Sequence, residues 1–328
     1  MDLAEFVEQV SGFTSQDVFN GLKSVTFGGN GEPQPFPFRG TPNPYETDFS
    51  IAWNADGSLQ SDRWWYQHTC QWMSVHYEVP LLLGLFYGIG VHLLQWIMKD
   101  RKPATWLDPL LTYWNLFLSV FSAVCCAIDV YLAYDFIVLQ GRGMAADLCL
   151  SKRKSEVPIG FLFCLSKVPE LIDTLFLCLK KKPVIFLHWY HHIVTMLYCW
   201  DAWVLQVNQG GYFATMNLFV HSFMYFYYFL MTRPWGFTVR IPSFVPLFIT
   251  ILQISQMFAG LTVMYFCFQH CRSTFLSSDF RIMLNFVSCI LMYFSFLVLF
   301  VNFFVNRYLF GRSPTQSRRP VNPKDKPE

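Results

Sequence analysis

The chain has 328 residues, of which 53% are hydrophobic and only 14% charged, and its net charge is +2. Soluble domains run at about 25% charged residues, so this composition argues against one. A near-neutral balance with no basic stripe argues against nucleic acid as a partner.

Residues 1–74 are polar and broken by Gly and Pro, as in Gly28-Gly29-Asn30-Gly31 and in Pro33 to Pro44. Such spacing ends any helix or strand, and a disordered extension is expected there. Met1 to Thr14 has neither a basic start nor a continuous apolar stretch, so no cleavable signal peptide is expected and the first span serves as the targeting signal. Seven apolar runs follow, at roughly 78–98, 106–138, 158–179, 184–206, 211–232, 243–268 and 281–307. A run of about 18 or more apolar residues is a membrane-helix candidate, and in lipid the backbone must satisfy itself by forming helix. The expectation is an all-α integral membrane protein. Its parts are a lumenal extension over 1–74, a seven-helix domain over 75–310 and a basic cytosolic tail over 311–328.

Orientation follows from Lys and Arg. The loops at 99–102, 180–182 and 233–240 and the tail from 307 carry 3, 3, 2 and 6 of them, against 4 and 2 in the loops near 140–157 and 270–281. The bias places the C-terminus in the cytosol and the N-terminus in the lumen, although Lys152-Arg153-Lys154 runs against it. The chain ends Lys324-Asp325-Lys326-Pro327-Glu328, similar to a dilysine signal for return to the endoplasmic reticulum. The ten cysteines include no CxxC pair, and five of them (Cys125, Cys126, Cys164, Cys178 and Cys199) lie inside apolar runs as small hydrophobes.

Ionisable residues inside spans are costly and default to a functional reading. The third run carries Lys167, Glu170, Asp173 and Thr174, spaced as one helical face. The fourth carries His188, His191 and His192; the fifth Asn217, His221 and Tyr225; the sixth Thr250, Gln253 and Gln256. Counting helical rise from the expected cytosolic ends, Glu170, Asp173, His191, His221 and Gln253 all fall about 9–16 Å deep. Four helices thus offer polar groups in one slab.

Three chemistries fit such a slab. A histidine-box metal oxidase needs a larger histidine set than this chain holds, since there are 8 in total and only four in the cluster. A zinc site on His188 and His192 lacks the usual Glu beside the first histidine, because Trp189-Tyr190 fill those places. No metal is therefore expected. A transporter or receptor is compatible with seven spans, but no internal repeat or paired Gly/Pro-broken helices are visible. An enzyme acting on a lipid thioester would use imidazole as nucleophile or base, carboxylates to orient it, and the apolar bundle as a dry tunnel.

Four motifs sharpen this reading. Lys167-Val-Pro-Glu170-Leu-Ile-Asp173-Thr174, His188-Trp-Tyr-His191-His192, Asn217-Leu-Phe-Val-His221-Ser-Phe-Met224-Tyr225-Phe-Tyr227-Tyr228 and Thr250-Ile-Leu-Gln253-Ile-Ser-Gln256 follow one another over residues 167–256. In this order they resemble the fatty-acid elongases of the endoplasmic reticulum. The HWYHH form and the run Gly210 to Asn217 are most similar to the branch acting on saturated and monounsaturated acyl-CoAs. The extension before the first span is longer than the family pattern.

The resemblance implies condensation of a long-chain acyl-CoA with malonyl-CoA to a 3-ketoacyl-CoA, with CO2 and CoA released and no cofactor. It implies an acyl-imidazole on His191 or His221, with Cys199 as the rival nucleophile, and His188 and His192 completing the hydrogen-bonded set. Glu170 and Asp173 would orient imidazoles, Lys167 would offset their charge, and Asn217, Gln253 and Gln256 would donate to a thioester or enolate oxygen. It further implies a six-helix barrel from the second to seventh spans, and partnership with the ketoreductase, dehydratase and enoyl reductase of the cycle and with further copies or relatives in an oligomer. Cys149 and Cys271 fall in lumenal loops, where a disulfide between them is expected.

Overall fold

The computed structural model describes residues 69–70, 72–139, 157–205, 207, 209–232, 240–277 and 280–311. Among these every regular element is helical. We number the α-helices α1 (Glu78–Ile97), α2 (Asp108–Tyr134), α3 (Val157–Ser166), α4 (Ile172–Leu179), α5 (Phe186–Val204), α6 (Gly210–Met231), α7 (Phe244–Ser277) and α8 (Phe280–Phe304). Single π turns extend α2 over Asp135–Leu139 and α8 over Val305–Leu309. The extension beyond these limits, Cys149 and the KDKPE tail lie outside the described residues. Residues 69–70 and 72–75 are already helical. Cys70 and Met73 are buried with Trp200 and Trp203 at the end of α5, so packed chain begins before the expected boundary at 75.

Among the described residues four helices are long and apolar enough to cross a membrane: Glu78–Ile97, Thr105–Leu139, Phe244–Cys271 and Phe280–Leu309. The remaining runs depart from that standard for visible reasons. The third is not one helix. Its chain leaves α-geometry after Ser166, makes i→i−3 bonds from Lys167 and Val168, and turns through a 3-10 segment at Pro169–Leu171 before α4. Pro169 has no N–H to give and its ring crowds the preceding turn. The expected single face carrying Lys167, Glu170, Asp173 and Thr174 is therefore corrected to two short helices joined at the polar cluster. The other two, α5 and α6, are 19 and 22 residues long, but they carry the histidines, Asp201 and Asn217.

Within lipid, helices associate through close approach and polar links rather than through burial from water. The sequence supplies both. On α2 the buried Thr112, Asn115, Ser119, Ser122, Cys126 and Asp129 repeat at alternate steps of three and four, the spacing that keeps one seam facing a neighbour. That seam packs on α6: Ser119 Oγ donates to Ser222 O at 2.9 Å, Cys126 Sγ lies 3.8 Å from Thr215 O, and Thr215 Oγ1 donates to Asp129. On α1 the small pair Gly84 and Gly88 faces Ile193 of α5. The outer faces of α1 and α2 expose large apolar side chains such as Leu85, Phe86, Phe117 and Val124. Further packing joins α6 to α7, α7 to α8, α8 to α5, α5 to α3, and α1 to α4.

The basic loops are tied together at one end. Lys181, with φ 53°, donates through Nζ to Lys99 O and Arg101 O at 2.8 and 3.0 Å, and Lys180 pairs with Asp108. At the other end Asp201 of α5 takes bonds from Tyr77 at 2.8 Å and from Asn285 of α8 at 2.7 Å, while Arg281 donates to the Tyr77 hydroxyl at 2.7 Å.

Candidate functional site

The break at Pro169 puts Lys167 and Glu170 on the inside of the turn. Lys167 Nζ donates to Glu170 Oε1 at 2.8 Å and to Asn217 Oδ1 of α6 at 2.9 Å, and Ser166 Oγ adds a bond to the same Glu170 oxygen at 2.9 Å. A turn further along α6, Asn217 Nδ2 lies 3.3 Å from His221 Nε2. Donor chemistry fixes this ring of four. An ammonium only donates, so the Asn217 carbonyl must face Lys167 and its amide must face His221. Nε2 of His221 is then the acceptor, and its ring proton sits on Nδ1. That nitrogen is 4.0 Å from Glu170 Oε2, a buried carboxylate oxygen with no hydrogen bond. A shift of about 1 Å would close the contact to ordinary hydrogen-bond length.

Asp173 and Thr174 lead outward from this ring to different helices. Asp173 accepts from Trp114 Nε1 of α2 at 2.6 Å and from the Tyr225 hydroxyl of α6 at 2.5 Å. Thr174 Oγ1 lies 2.9 Å from His188 Nε2 and 2.5 Å from the Tyr87 hydroxyl of α1. On α5 the His188 and His192 rings meet edge-on with centroids 4.6 Å apart, and those of His191 and His192 are 5.6 Å apart. His191 Nδ1 is 3.3 Å from Thr195 Oγ1, one turn on, and its ring lies 4.9 Å from that of Phe296 on α8.

His191, Thr195, Asn217 and Gln256 line a cavity that continues past Tyr198, Cys199 and Tyr293 to Trp203, Val207 and Gly210. From His191 to Trp203 the wall of α5 runs about 18 Å along the helix axis. Its remaining wall is largely apolar, from Ile159, Phe163, Phe213, Met257, Met292 and Phe296. Asp129 also lies in this wall, so the cavity has a polar end at His191 and Asn217, a further polar point at Asp129 and an otherwise largely apolar body.

Of the residues singled out by sequence, the structure joins Lys167, Glu170, Asn217 and His221 in one ring. It joins Asp173 to Tyr225, and Thr174 to His188 beside His192 and His191. Gln256 reaches the cavity wall, whereas Gln253 donates to Met224 Sδ at 3.6 Å and Thr250 lies 3.3 Å from the Tyr308 hydroxyl. Cys271 is disulfide-bonded, at a point where α7 loses helical geometry (φ −108°, ψ 16°), while its expected partner Cys149 lies outside the described residues. Cys199 is a free thiol in the cavity wall. Among the described residues no three His, Cys, Asp or Glu side chains are arranged to hold a metal ion.

Tyr87, Trp114, Ser166 and Thr195 were not legible as site residues, because none stands in the four motifs. Asp129 and Asp201 could have been found, since each is a carboxylate inside an apolar run.

An all-helical membrane protein with a polar, histidine-rich cluster opening on an apolar cavity is the class this architecture defines. Residues 72–316 match the ELO: GNS1/SUR4 family, and the chain belongs to it. It is 36% identical over 274 residues to "Fatty acid elongase 3" of Trypanosoma brucei brucei, covering 74% of this chain and 87% of that one. It is likewise 36% identical over 244 residues to "Very long chain fatty acid elongase 6" of Homo sapiens, covering 73% and 88%. With "Long chain fatty acid elongase 1" of Caenorhabditis elegans the identity is 34% over 237 residues, covering 71% and 80%.

Proposed function

We propose that this protein condenses a long-chain acyl-CoA with malonyl-CoA, the first step of a round of fatty-acid elongation, in the endoplasmic reticulum membrane. The observation that carries the reading is His191. It stands in the wall of the cavity where polar cluster and apolar body meet, with Nδ1 turned to Thr195. A proton on Nδ1 donated to the Thr195 hydroxyl leaves the Nε2 lone pair for a substrate. His221 is a weaker choice for nucleophile, because its Nε2 is held by Asn217 and it does not line the cavity.

In the first half-reaction Nε2 of His191 attacks the acyl thioester carbonyl. The C–S bond breaks, CoA leaves as the thiol with the proton released from the imidazole, and the acyl group stays on nitrogen with its chain along the apolar body. In the second half-reaction the C–CO2 bond of malonyl-CoA breaks. Its electron pair forms the new C–C bond to the acyl carbon, CO2 is released, and the imidazole leaves, taking up one proton from water, as 3-ketoacyl-CoA forms. Asn217 of the cavity wall lies beside these steps, and the amide hydrogen it does not give to His221 can meet developing negative charge, with Glu170 and His221 holding the ring behind it. Helices α2 to α8, with α3 and α4 forming one span, would close around the acyl chain as a six-helix barrel, with α1 outside. The joined basic loops around Lys99, Arg101, Lys180 and Lys181 suit the phosphates of CoA. The further enzymes of the cycle would take the 3-ketoacyl product.

The test uses purified full-length protein given palmitoyl-CoA and labelled malonyl-CoA without a reductant, beside His191→Ala and His221→Ala. A labelled 3-ketoacyl-CoA from the wild type, absent from His191→Ala, is the expected result. Acid quenching before malonyl-CoA is added should also leave the acyl mass on the peptide containing His191. No product from folded wild type with medium, long or very long acyl chains would refute the condensing reading.

A further inference from the structure

Tyr87 belongs to α1, which packs against α4 and α5 and adds no side chain to the cavity wall. It nevertheless reaches the histidine cluster. Its hydroxyl lies 2.5 Å from Thr174 Oγ1, and Thr174 Oγ1 lies 2.9 Å from His188 Nε2. Its ring meets His192 edge-on, with centroids 6.3 Å apart. Thr174 is completely buried. We propose that Tyr87 is a positioning residue for the histidine cluster, setting the tautomer of His188 through the Thr174 hydroxyl. The consequence for catalysis rests on the condensing reading above; the tautomer does not.

The direction of the relay follows from donor strength. A phenol, with an ordinary pKa of about 10, is a better donor than an aliphatic hydroxyl, so Tyr87 donates to Thr174 Oγ1. The Thr174 proton then points at His188 Nε2, which accepts it, and the ring proton of His188 moves to Nδ1. Each bond polarises the next.

Without the phenol the balance changes. A threonine in a helix can turn its hydroxyl back to the carbonyl four residues earlier, which would leave His188 Nε2 unheld and both tautomers accessible. His188 touches His192, and His192 touches the cavity-lining His191, so a loose His188 loosens the ring that is proposed to react.

A hydroxyl pair that only glued α1 to α4 would leave imidazole protonation unchanged, and that separates the two roles. The experiment is 15N NMR of the full chain in lipid nanodiscs with labelled histidine, assigned by His188→Gln. The wild type should show one His188 tautomer with its proton on Nδ1. Tyr87→Phe, which keeps the ring against His192, should move the Nδ1 and Nε2 shifts toward a mixture. Thr174→Val should do the same, Thr174→Ser should keep the wild-type shifts, and Tyr87→Phe with Thr174→Val should add nothing to Thr174→Val alone.

In the condensation assay Tyr87→Phe should lower kcat about tenfold, with little change in KM, as loss of an outer partner does for other functional imidazoles. His188 shifts in Tyr87→Phe identical to the wild type would overturn the proposal, as would tautomer mixing confined to variants that have lost their fold. A wild type that makes no 3-ketoacyl product would instead refute the condensing reading, and the nitrogen shifts would still decide the relay.

Discussion

Gly260 of α7 offers the sharpest test of the packing around the cavity. A Cβ at this position would lie 2.1 Å from Cε1 of Tyr293 on α8, 2.4 Å from Cδ1 and 2.9 Å from Cζ. Ordinary contact begins at 3.4 Å, so the ring would have to retreat by about 1.3 Å, the difference between 3.4 and 2.1 Å. Tyr293 is 4% exposed, and its ring already sits 4.8 Å from that of Phe213. The open direction is the cavity, which Tyr293 lines.

Two effects compete in Gly260→Ala. Helix propensity favours Ala over Gly by about 1 kcal/mol, whereas overpacking a filled site costs about 1–3 kcal/mol. A displacement beyond 1 Å belongs at the upper end of that range, so a net loss of about 1–2 kcal/mol is expected. Gly90 on α1 is the control, because a Cβ there meets nothing within 4 Å. Gly90→Ala should hold or raise the melting temperature in detergent while Gly260→Ala lowers it, and Gly260→Ala with Tyr293→Leu should recover most of the loss. A narrower cavity should also cut activity on the longest acyl-CoAs most. Gly260→Ala that melts with the wild type and keeps its chain-length profile would refute the close approach of α7 and α8.

Three further substitutions probe the polar cluster. Lys167→Met removes the cation bonded to Glu170 and Asn217; it should destabilise by about 3–5 kcal/mol, and combining it with Glu170→Gln should cost clearly less than the two singles together, as thermal melts of the set would show. Trp114→Phe removes one of two bonds to the Asp173 carboxylate and should cost about 1.5–3 kcal/mol, with Asp173→Asn reducing the effect of the tryptophan change. Thr195→Val removes the hydroxyl facing His191 Nδ1 and should slow release of CoA from acyl-CoA alone about tenfold, or about 1.4 kcal/mol in barrier; stopped-flow thiol detection at unchanged rate would dismiss that role.

How much of this was legible in the sequence depends on what each signal measures. Hydropathy marks where a helix can lie in lipid, and the ends of α1, α2, α5 and α6 fall close to the expected runs. It does not register hydrogen-bond geometry, so the third run read as one face although Pro169 breaks it. Motif spacing brought out Asn217 and His221, which share a face one turn apart on α6, and Lys167 and Glu170, which reach them from the break at Pro169. The same signal could not reach Tyr87 or Trp114. Each contributes one polar atom from a position that no motif marks, and only the way α1 and α2 lie against α4 carries that atom to Thr174 or Asp173.

The structure also separates two uses of costly intramembrane charge that the sequence merges. Both oxygens of Asp173 are hydrogen-bonded to other helices, and those of Asp201 to Tyr77 just before α1 and to Asn285 of α8. Carboxylates saturated in this way hold helices in register and have little capacity left for a substrate. Glu170 differs: one oxygen takes bonds from Lys167 and Ser166, while the other is buried, without a hydrogen bond, 4.0 Å from a His221 nitrogen. An unbonded buried carboxylate oxygen is expensive to keep. Lys167 links Glu170 to Asn217 of the cavity wall, whereas Asp129, which lines the cavity itself, accepts from Thr215. Hydropathy registers none of these bonds, so the sequence could not separate the half-bonded Glu170 from Asp173 and Asp201, whose oxygens are each engaged.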